Sequence, residues 1–302
     1  MVVTIKNDKK RKLDSEQPAD SIENNTKPEN VSENENEEDE DDDDDEIVNV
    51  DFDYFNFKEI DFHSTKNLLR QLLGPDSIQF DLSSLSDLII SQTSLGSTIK
   101  TDGEDSDPLA ILTAIDLKGE PTKCATAKHA LIDYFIAKTQ DYPKFNRKIR
   151  QIVSQASQDK VGLVFSERLI NMPTEVVPPM YKMLQQELEA DSEKTFDYLL
   201  ILSKTFQEEE SQLDKEERIS TKKSKRSPDT KKESYFFHPE DEVTQDHALY
   251  FHSFKYSKEP QASDSKRAFY DYGIFPQGHL ILVKTDKLSE LVQDLETRIP
   301  PF

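Results

Sequence analysis

The sequence predicts a mixed α/β domain built on a single, partly antiparallel sheet and preceded by a disordered acidic tail. Three observations predict it. In the 302-residue chain, hydrophobic side chains make up 34% and charged ones 32%, a balance too polar for a protein that packs along its whole length. Residues 1–46 hold 18 acids against 6 bases, a net of −12 and more than half of the −22 carried by the whole chain. From Ile47 to residue 206, helical and strand periodicities are interleaved, and strand patterns then cluster toward the end.

The elements follow in order. Val48, Val50, Phe52 and Tyr54 alternate with Asn49, Asp51 and Asp53, the period of a half-buried strand. Asp61 is the expected N-cap of a helix with Phe62, Leu68, Leu69, Leu72 and Leu73 on its apolar face, and Gly74-Pro75 stops it. A short helix capped by Asp81 or Ser83 comes next, with Leu82, Leu85, Leu88 and Ile89 inward. Strands are expected over 98–100 and 109–116, joined by the polar turn 102–108. Helices are expected over 126–140 and 144–157, with Pro143 at the join. A compact buried strand covers 161–165. Pro178-Pro179 then sets the first turn of a helix over 180–189, where the missing amide hydrogens have no intrahelical partner to lose. Another strand spans 196–206, with Tyr198 to Leu202 at its core.

Residues 207–234 contain only Leu213 and Ile219 as aliphatic side chains, and read as a charged insertion, either mobile or an exposed helix. Strand patterns resume over 235–237, 248–256, 270–275 and 279–284, and Asp286 is the expected cap of a last helix through Leu288, Leu291, Val292 and Leu295. The organisation is thus an acidic tail over 1–46, an α/β domain over 47–302, and the insertion within it.

Charge narrows the partners. Glu37, Glu38, Asp39, Glu40, Asp41, Asp42, Asp43, Asp44, Asp45 and Glu46 form an unbroken acidic run that repels itself and has no apolar surface to bury. Such a chain opposes direct binding to nucleic acid or anionic lipid, whose phosphates need lysine or arginine, and the natural partner is a basic protein. The tail's acidic run is the candidate client-binding segment. Lys9, Lys10, Arg11 and Lys12 read as a nuclear import signal. Lys222, Lys223, Lys225 and Arg226 either act likewise or solvate the insertion. Ser32, with Glu35 three positions on, is a candidate acid-directed phosphosite. The lone Cys124 fits a reducing compartment, and no secretory segment is expected behind Met1. The longest aliphatic runs, 199–202 and 280–283, are too short for membrane insertion.

No catalytic, metal or cofactor site is expected. Phosphate cradles need closely spaced glycines, and here they stand at 74, 96, 103, 119, 162, 273 and 278, never one residue apart. The histidines at 63, 129, 238, 247, 252 and 279 are scattered, and His247 and His252 fall on opposite faces if they share a strand. Asp102, Asp105 and Asp107 lack the bidentate glutamate of a calcium loop, since Thr113 stands at the twelfth position. Ser166 lacks the glycines of a nucleophile elbow, and Cys124 has no histidine nearby in sequence.

Several stretches resemble a known family. They are Val-Asp-Phe-Asp-Tyr-Phe-Asn-Phe over 50–57, Asp-Phe-His-Ser-Thr-Lys-Asn-Leu-Leu-Arg-Gln-Leu over 61–72, and Leu-Ser-Asp-Leu-Ile-Ile-Ser-Gln over 85–92. Leu95 to Thr98, the turn 102–108, Leu169 to Met180, Tyr-Phe-Phe-His-Pro-Glu-Asp over 235–241 and 275–283 continue the match. On these motifs the chain is similar to the BCCIP family, specifically its fungal members, over nearly all of 47–302. The resemblance implies a non-catalytic protein of nucleus and cytoplasm. It further implies chaperoning of a basic large-subunit ribosomal protein and nuclear export through transport receptors. One export cargo would be a phosphatidylinositol phosphate kinase, with links to actin organisation and vesicle transport. The family's fold is similar to that of GCN5-related N-acetyltransferases, whose coenzyme A turn, [QR]-x-x-G-x-[GA], has no counterpart after Phe206. Two alternatives stand beside this reading, a degenerate acyltransferase-fold enzyme and a general, histone-type acidic chaperone.

Overall fold

The computed structural model describes residues 3–4, 50–92, 95–119, 124–190, 195–208, 234–258 and 273–300. One mixed sheet runs through it. Its strands are β1 (Asp53–Phe55), β2 (Ser97–Lys100), β3 (Ala110–Asp116), β4 (Val161–Arg168), β5 (Tyr198–Glu208), β6 (Ser234–Phe236), β7 (Tyr250–Phe254) and β8 (Ile274–Lys284). Seven of them lie in the order β1-β2-β3-β4-β5-β8-β7, and β6 joins β5 off this path. Only β4 and β5 pair in parallel; the other ladders of this sheet are antiparallel. Val50–Asp51 forms a separate short parallel ladder with Val3–Thr4.

The helices are α1 (Phe62–Leu73), α2 (Leu82–Ser91), α3 (Ala125–Lys138), α4 (Pro143–Val153), α5 (Val177–Ala190), α6 (Pro239–Asp246) and α7 (Leu288–Arg298). They cover both faces of the sheet. Leu163, Phe165, Leu200, Leu202, Leu280 and Leu282 pack with α1 to α4, whereas Val164, Leu199, Ile201, Ile281 and Val283 pack with α5 to α7. Two-sided burial explains why the central strands read as unbroken aliphatic runs, while the edges alternate with polar residues. Phe52 and Phe57, at the sheet's first edge, divide between the two layers in the same way.

Several boundaries differ from the sequence expectation. β5 continues two residues beyond 206, and β8 runs unbroken from Ile274 through Pro276 instead of as two strands. Pro276 is tolerated because it pairs with Phe206 of β5 but lies outside the segment paired with β7. The strand expected over 248–256 is shortened to Tyr250–Phe254, and α6 was not anticipated, because its sequence Pro-Glu-Asp-Glu-Val-Thr-Gln-Asp carries one aliphatic residue. His247 therefore ends α6 and does not share β7 with His252. Asp286 lies in a 3-10 turn, and the residue at the N-cap of α7 is Lys287.

Asp81 caps α2 as expected, accepting hydrogen bonds from the Ser84 amide at 3.1 Å and its hydroxyl at 2.6 Å. Asp61 stands at the N-cap position of α1 but does not cap it. A 3-10 turn leads straight into the helix, so Asp61 already has helical dihedrals, and its carboxylate turns inward to the Lys100 ammonium at 2.6 Å.

Gly96, before β2, has φ 111°, a left-handed conformation open to glycine. A Cβ there would lie 2.6 Å from the Thr113 Cβ and 2.8 Å from the Leu112 carbonyl oxygen. Gly96→Ala is therefore expected to lower stability by about 2 kcal/mol, read as a shift in the urea midpoint. An unchanged midpoint would show that the turn relaxes freely.

A filled gap in the sheet and the groove beside it

The candidate site lies where the two parallel strands part. β4 and β5 pair from Val161↔Tyr198 to Phe165↔Leu202 and no further. Beyond that point β5 takes β6 as its neighbour, with Thr205 opposite Phe236, and the Phe237 amide donates to the Lys204 carbonyl at 3.2 Å. The chain from Ser234 to Asp241 thus enters the gap between the strands.

The ends of both strands carry the polar residues that this gap receives. Strand alternation places Glu167 and Lys204 on the α1 side, and Arg168 and Ser203 on the α5 side. On the first side, the Lys204 ammonium donates to Glu167 Oε1 at 2.6 Å, and Gln71 of α1 donates to the same oxygen and to the Arg168 carbonyl at 3.0 Å. On the second, Arg168 grips Glu240 with both carboxylate oxygens, Nε to Oε1 at 2.8 Å and Nη2 to Oε2 at 3.1 Å. Its remaining donors reach the Met172 carbonyl at 2.6 Å and the Thr174 hydroxyl at 3.2 Å. His238 sits between the two sides, its Nε2 3.4 Å from Glu167 and its Nδ1 4.0 Å from Glu240. Ser203 donates to Asp241 Oδ2 at 2.6 Å.

This network is buried: Glu167, Arg168, His238, Glu240 and Asp241 are each no more than 5% exposed. Glu167 pairs with Lys204 and Glu240 with Arg168, His238 lies against both glutamates, and Asp241 is a third carboxyl whose described hydrogen-bond partner is a neutral hydroxyl. Burial, aided by the neighbouring Glu240 charge, pushes the Asp241 carboxyl up to about 7. Glu167 goes the other way: burial would raise it, but the His238 hydrogen bond and the Lys204 charge outweigh that and hold it below the ordinary glutamate range.

Beside the plug, between α1 and the segment leading out of β7, opens a groove of about 870 Å³. Lys66, Asn67, Arg70 and Gln71 form one wall, Phe80 and Leu82 contribute apolar surface, and Phe237, Tyr256 and Pro276 lie opposite. Asp76 fixes the far side: its buried carboxylate accepts from the Ser257 amide at 2.8 Å, the Lys258 amide at 2.8 Å and the Tyr134 hydroxyl at 2.8 Å. Lys138 pairs with it at 3.1 Å. Gly74 permits the approach of Tyr256, whose ring would lie 3.0 Å from an added Cβ.

The residues singled out in the sequence are otherwise placed. Lys9 to Lys12, Ser32, Glu37 to Glu46 and Lys222 to Arg226 lie outside the described residues. Asp105 pairs with Lys58 at 3.3 Å and Asp107 accepts from the Ser64 hydroxyl at 2.7 Å, so the 102–108 turn is tied to the start of α1. Cys124 is buried and donates to the Ser84 carbonyl at 3.1 Å. Among the described residues, no group of three or more histidine, cysteine or acidic side chains is arranged to hold a metal ion. No described helix is long and apolar enough to cross a membrane.

The plug residues were missed because charged residues at strand ends read as solvated. The available signal was Ser-Glu-Arg ending an otherwise apolar run at 166–168, matched by His-Pro-Glu-Asp at 238–241.

Fold and site define a mixed α/β protein with two apolar layers, whose central parallel strands part around a buried ionic plug. The BCCIP family model matches residues 47–244. The chain belongs to the BCCIP family. It is 51% identical over 253 residues to a Yarrowia lipolytica protein named Protein BCP1, covering 83% of each chain. A Schizosaccharomyces pombe protein, named Protein bcp1, is 39% identical over 252 residues, covering 82% of this chain and 89% of that one. The crystal structure of BCP1 from Saccharomyces cerevisiae superposes with a TM-score of 0.57 at 30% identity, covering 87% of this chain and 95% of that one. None of these names is that of an enzyme.

Proposed function

We propose that this protein is a non-catalytic chaperone and transport factor of nucleus and cytoplasm that holds basic client proteins, notably a ribosomal protein of the large subunit. The carrying observation is the charge, −22 overall with −12 of it in residues 1–46. A ribosomal protein is basic because it neutralises RNA, and an acidic partner that covers its surface prevents nonspecific RNA binding before assembly. The family resemblance adds export of a phosphatidylinositol phosphate kinase through nuclear transport receptors, and with it actin organisation and vesicle transport. It also adds a scaffold similar to the GCN5-related N-acetyltransferases, used here without acyl transfer. In support of that last point, Ser234 to Asp241 fills the gap between β4 and β5, and acidic Gln-Glu-Glu-Glu stands at 207–210, after Phe206, in place of a glycine turn.

In this reading the folded domain selects the client and the tail speeds encounter. Purification of the tagged chain from nuclei at mild salt, with quantitative mass spectrometry, tests it. One ribosomal protein at a one-to-one ratio supports it, and a broad set of basic proteins that vanishes with residues 1–46 overturns it in favour of a general acidic chaperone. Deleting residues 1–46 is expected to slow association about tenfold at low salt while changing dissociation less than about twofold. The difference should vanish near ~1 M salt, where the screening length falls to about 3 Å. Equal changes in both rate constants would refute this division of labour.

A further inference from the structure

We propose that the groove between α1 and Tyr256 binds a short partner peptide in which aliphatic or aromatic side chains stand next to a carboxylate. This goes beyond the chaperone reading, because such a ligand is opposite in charge to a basic client. The groove's size, about 870 Å³, suits several peptide side chains. Its apolar surface is open: Ile78, on its lining, is 62% exposed, an isoleucine left in water beside Phe80 and Leu82.

Charge selects the occupant. Lys66 and Arg70 stand one helical turn apart on α1, so both line the same wall. Lys66 donates to the Ser83 hydroxyl at 2.8 Å, and Arg70 to the Asn67 side chain at 2.6 Å. Neither forms an ion pair within 4.0 Å of a carboxylate among the described residues, although the Asp81 carboxylate, also on the lining, feels the Lys66 charge; Lys204, deeper in the groove, is held by Glu167. In a chain of net charge −22, Arg70 with a neutral partner and Lys66 offset in part by Asp81 leave this wall positive beside an apolar groove, which is complementary to an acidic peptide and repels a basic one. The walls are also set in advance, since Asp76 ties the Tyr256 segment to the connection after α1 through two backbone amides. A ligand therefore need not order them on binding.

A twelve-residue random peptide display library, selected against the full chain, tests the proposal. Enriched peptides should combine Leu, Ile or Phe with Asp or Glu within one helical turn. A labelled recovered peptide should bind at least tenfold more weakly to Arg70→Glu and to Ile78→Asp, two changes at exposed positions that leave the thermal midpoint in place. It should also slow hydrogen exchange over residues 66–83. The proposal is overturned if nothing is enriched, if the enriched peptides are basic, or if both variants bind as tightly as the parent. Loss of this peptide with client capture intact separates the site from the chaperone reading.

Discussion

Arg168→Met is expected to lower the unfolding free energy by about 3–5 kcal/mol, the typical cost of breaking a buried ion pair from one side. The side chain is 5% exposed, and it makes two hydrogen bonds to Glu240 and one each to the Met172 carbonyl and the Thr174 hydroxyl. Methionine fills most of the volume, so cavity formation contributes little. What remains is a Glu240 carboxylate, 2% exposed, that has lost its guanidinium partner and lies beside the Asp241 carboxyl. The variant Glu240→Gln should cost less, because a neutral amide can still accept from Arg168. The informative measurement is the double change Arg168→Met/Glu240→Met by equilibrium urea unfolding. Removing both charges should recover more than half of the single-variant loss, since the carboxylate's desolvation is relieved. Additive losses would mean that the two side chains are not coupled, and that each stabilises the plug through its other partners. Asp61 and Lys100, both fully buried at 2.6 Å, are governed by the same reasoning at the other end of α1.

Most elements were legible because their burial pattern is simple. The runs at 161–165 and 198–202 read as buried strands since both faces are covered, and Leu68, Leu69, Leu72 and Leu73 mark the one face by which α1 joins the core. Elements that depend on distant partners were not. Residues 239–246 have little helical periodicity, and α6 is fixed by Glu240 meeting Arg168 from 72 positions away and Asp241 meeting Ser203 from 38. In the same way Asp61 looked like a cap, because nothing local reveals that Lys100 arrives opposite it on β2.

The candidate site was legible only in its pieces. Tyr-Phe-Phe-His-Pro-Glu-Asp marked the family, yet its chemistry depends on the divergence of β4 from β5, and local sequence carries no signal for where a parallel pair ends. The groove illustrates the same limit: Lys66 and Arg70 are ordinary exposed helix residues until Phe237, Tyr256 and Pro276 are brought opposite them from the chain's second half.

Asp241→Asn is expected to be more stabilising, or less destabilising, at pH 8 than at pH 4, by on the order of 3 kcal/mol. The sign follows from the raised carboxyl. In the unfolded chain Asp241 loses its proton near pH 3.9. In the folded protein burial and the Glu240 charge keep it protonated up to about 7. Between those values the unfolded state binds fewer protons, so the wild-type protein loses stability as pH rises through the window, and asparagine, which mimics the protonated form, does not. His279 acts oppositely. Burial, with a smaller contribution from His252, lowers it to about 4, so the unfolded state takes up a proton that the folded state excludes, and stability is lost as pH falls from about 6.5 toward 4. In the wild type the two groups offset each other across much of that interval. The variant should therefore expose the histidine's slope, with stability falling toward acid more steeply than in the parent. Unfolding curves at several pH values between 4 and 8 decide it: a parallel offset at every pH would mean that Asp241 is ionised throughout, and that the plug accommodates its third carboxylate as a charge.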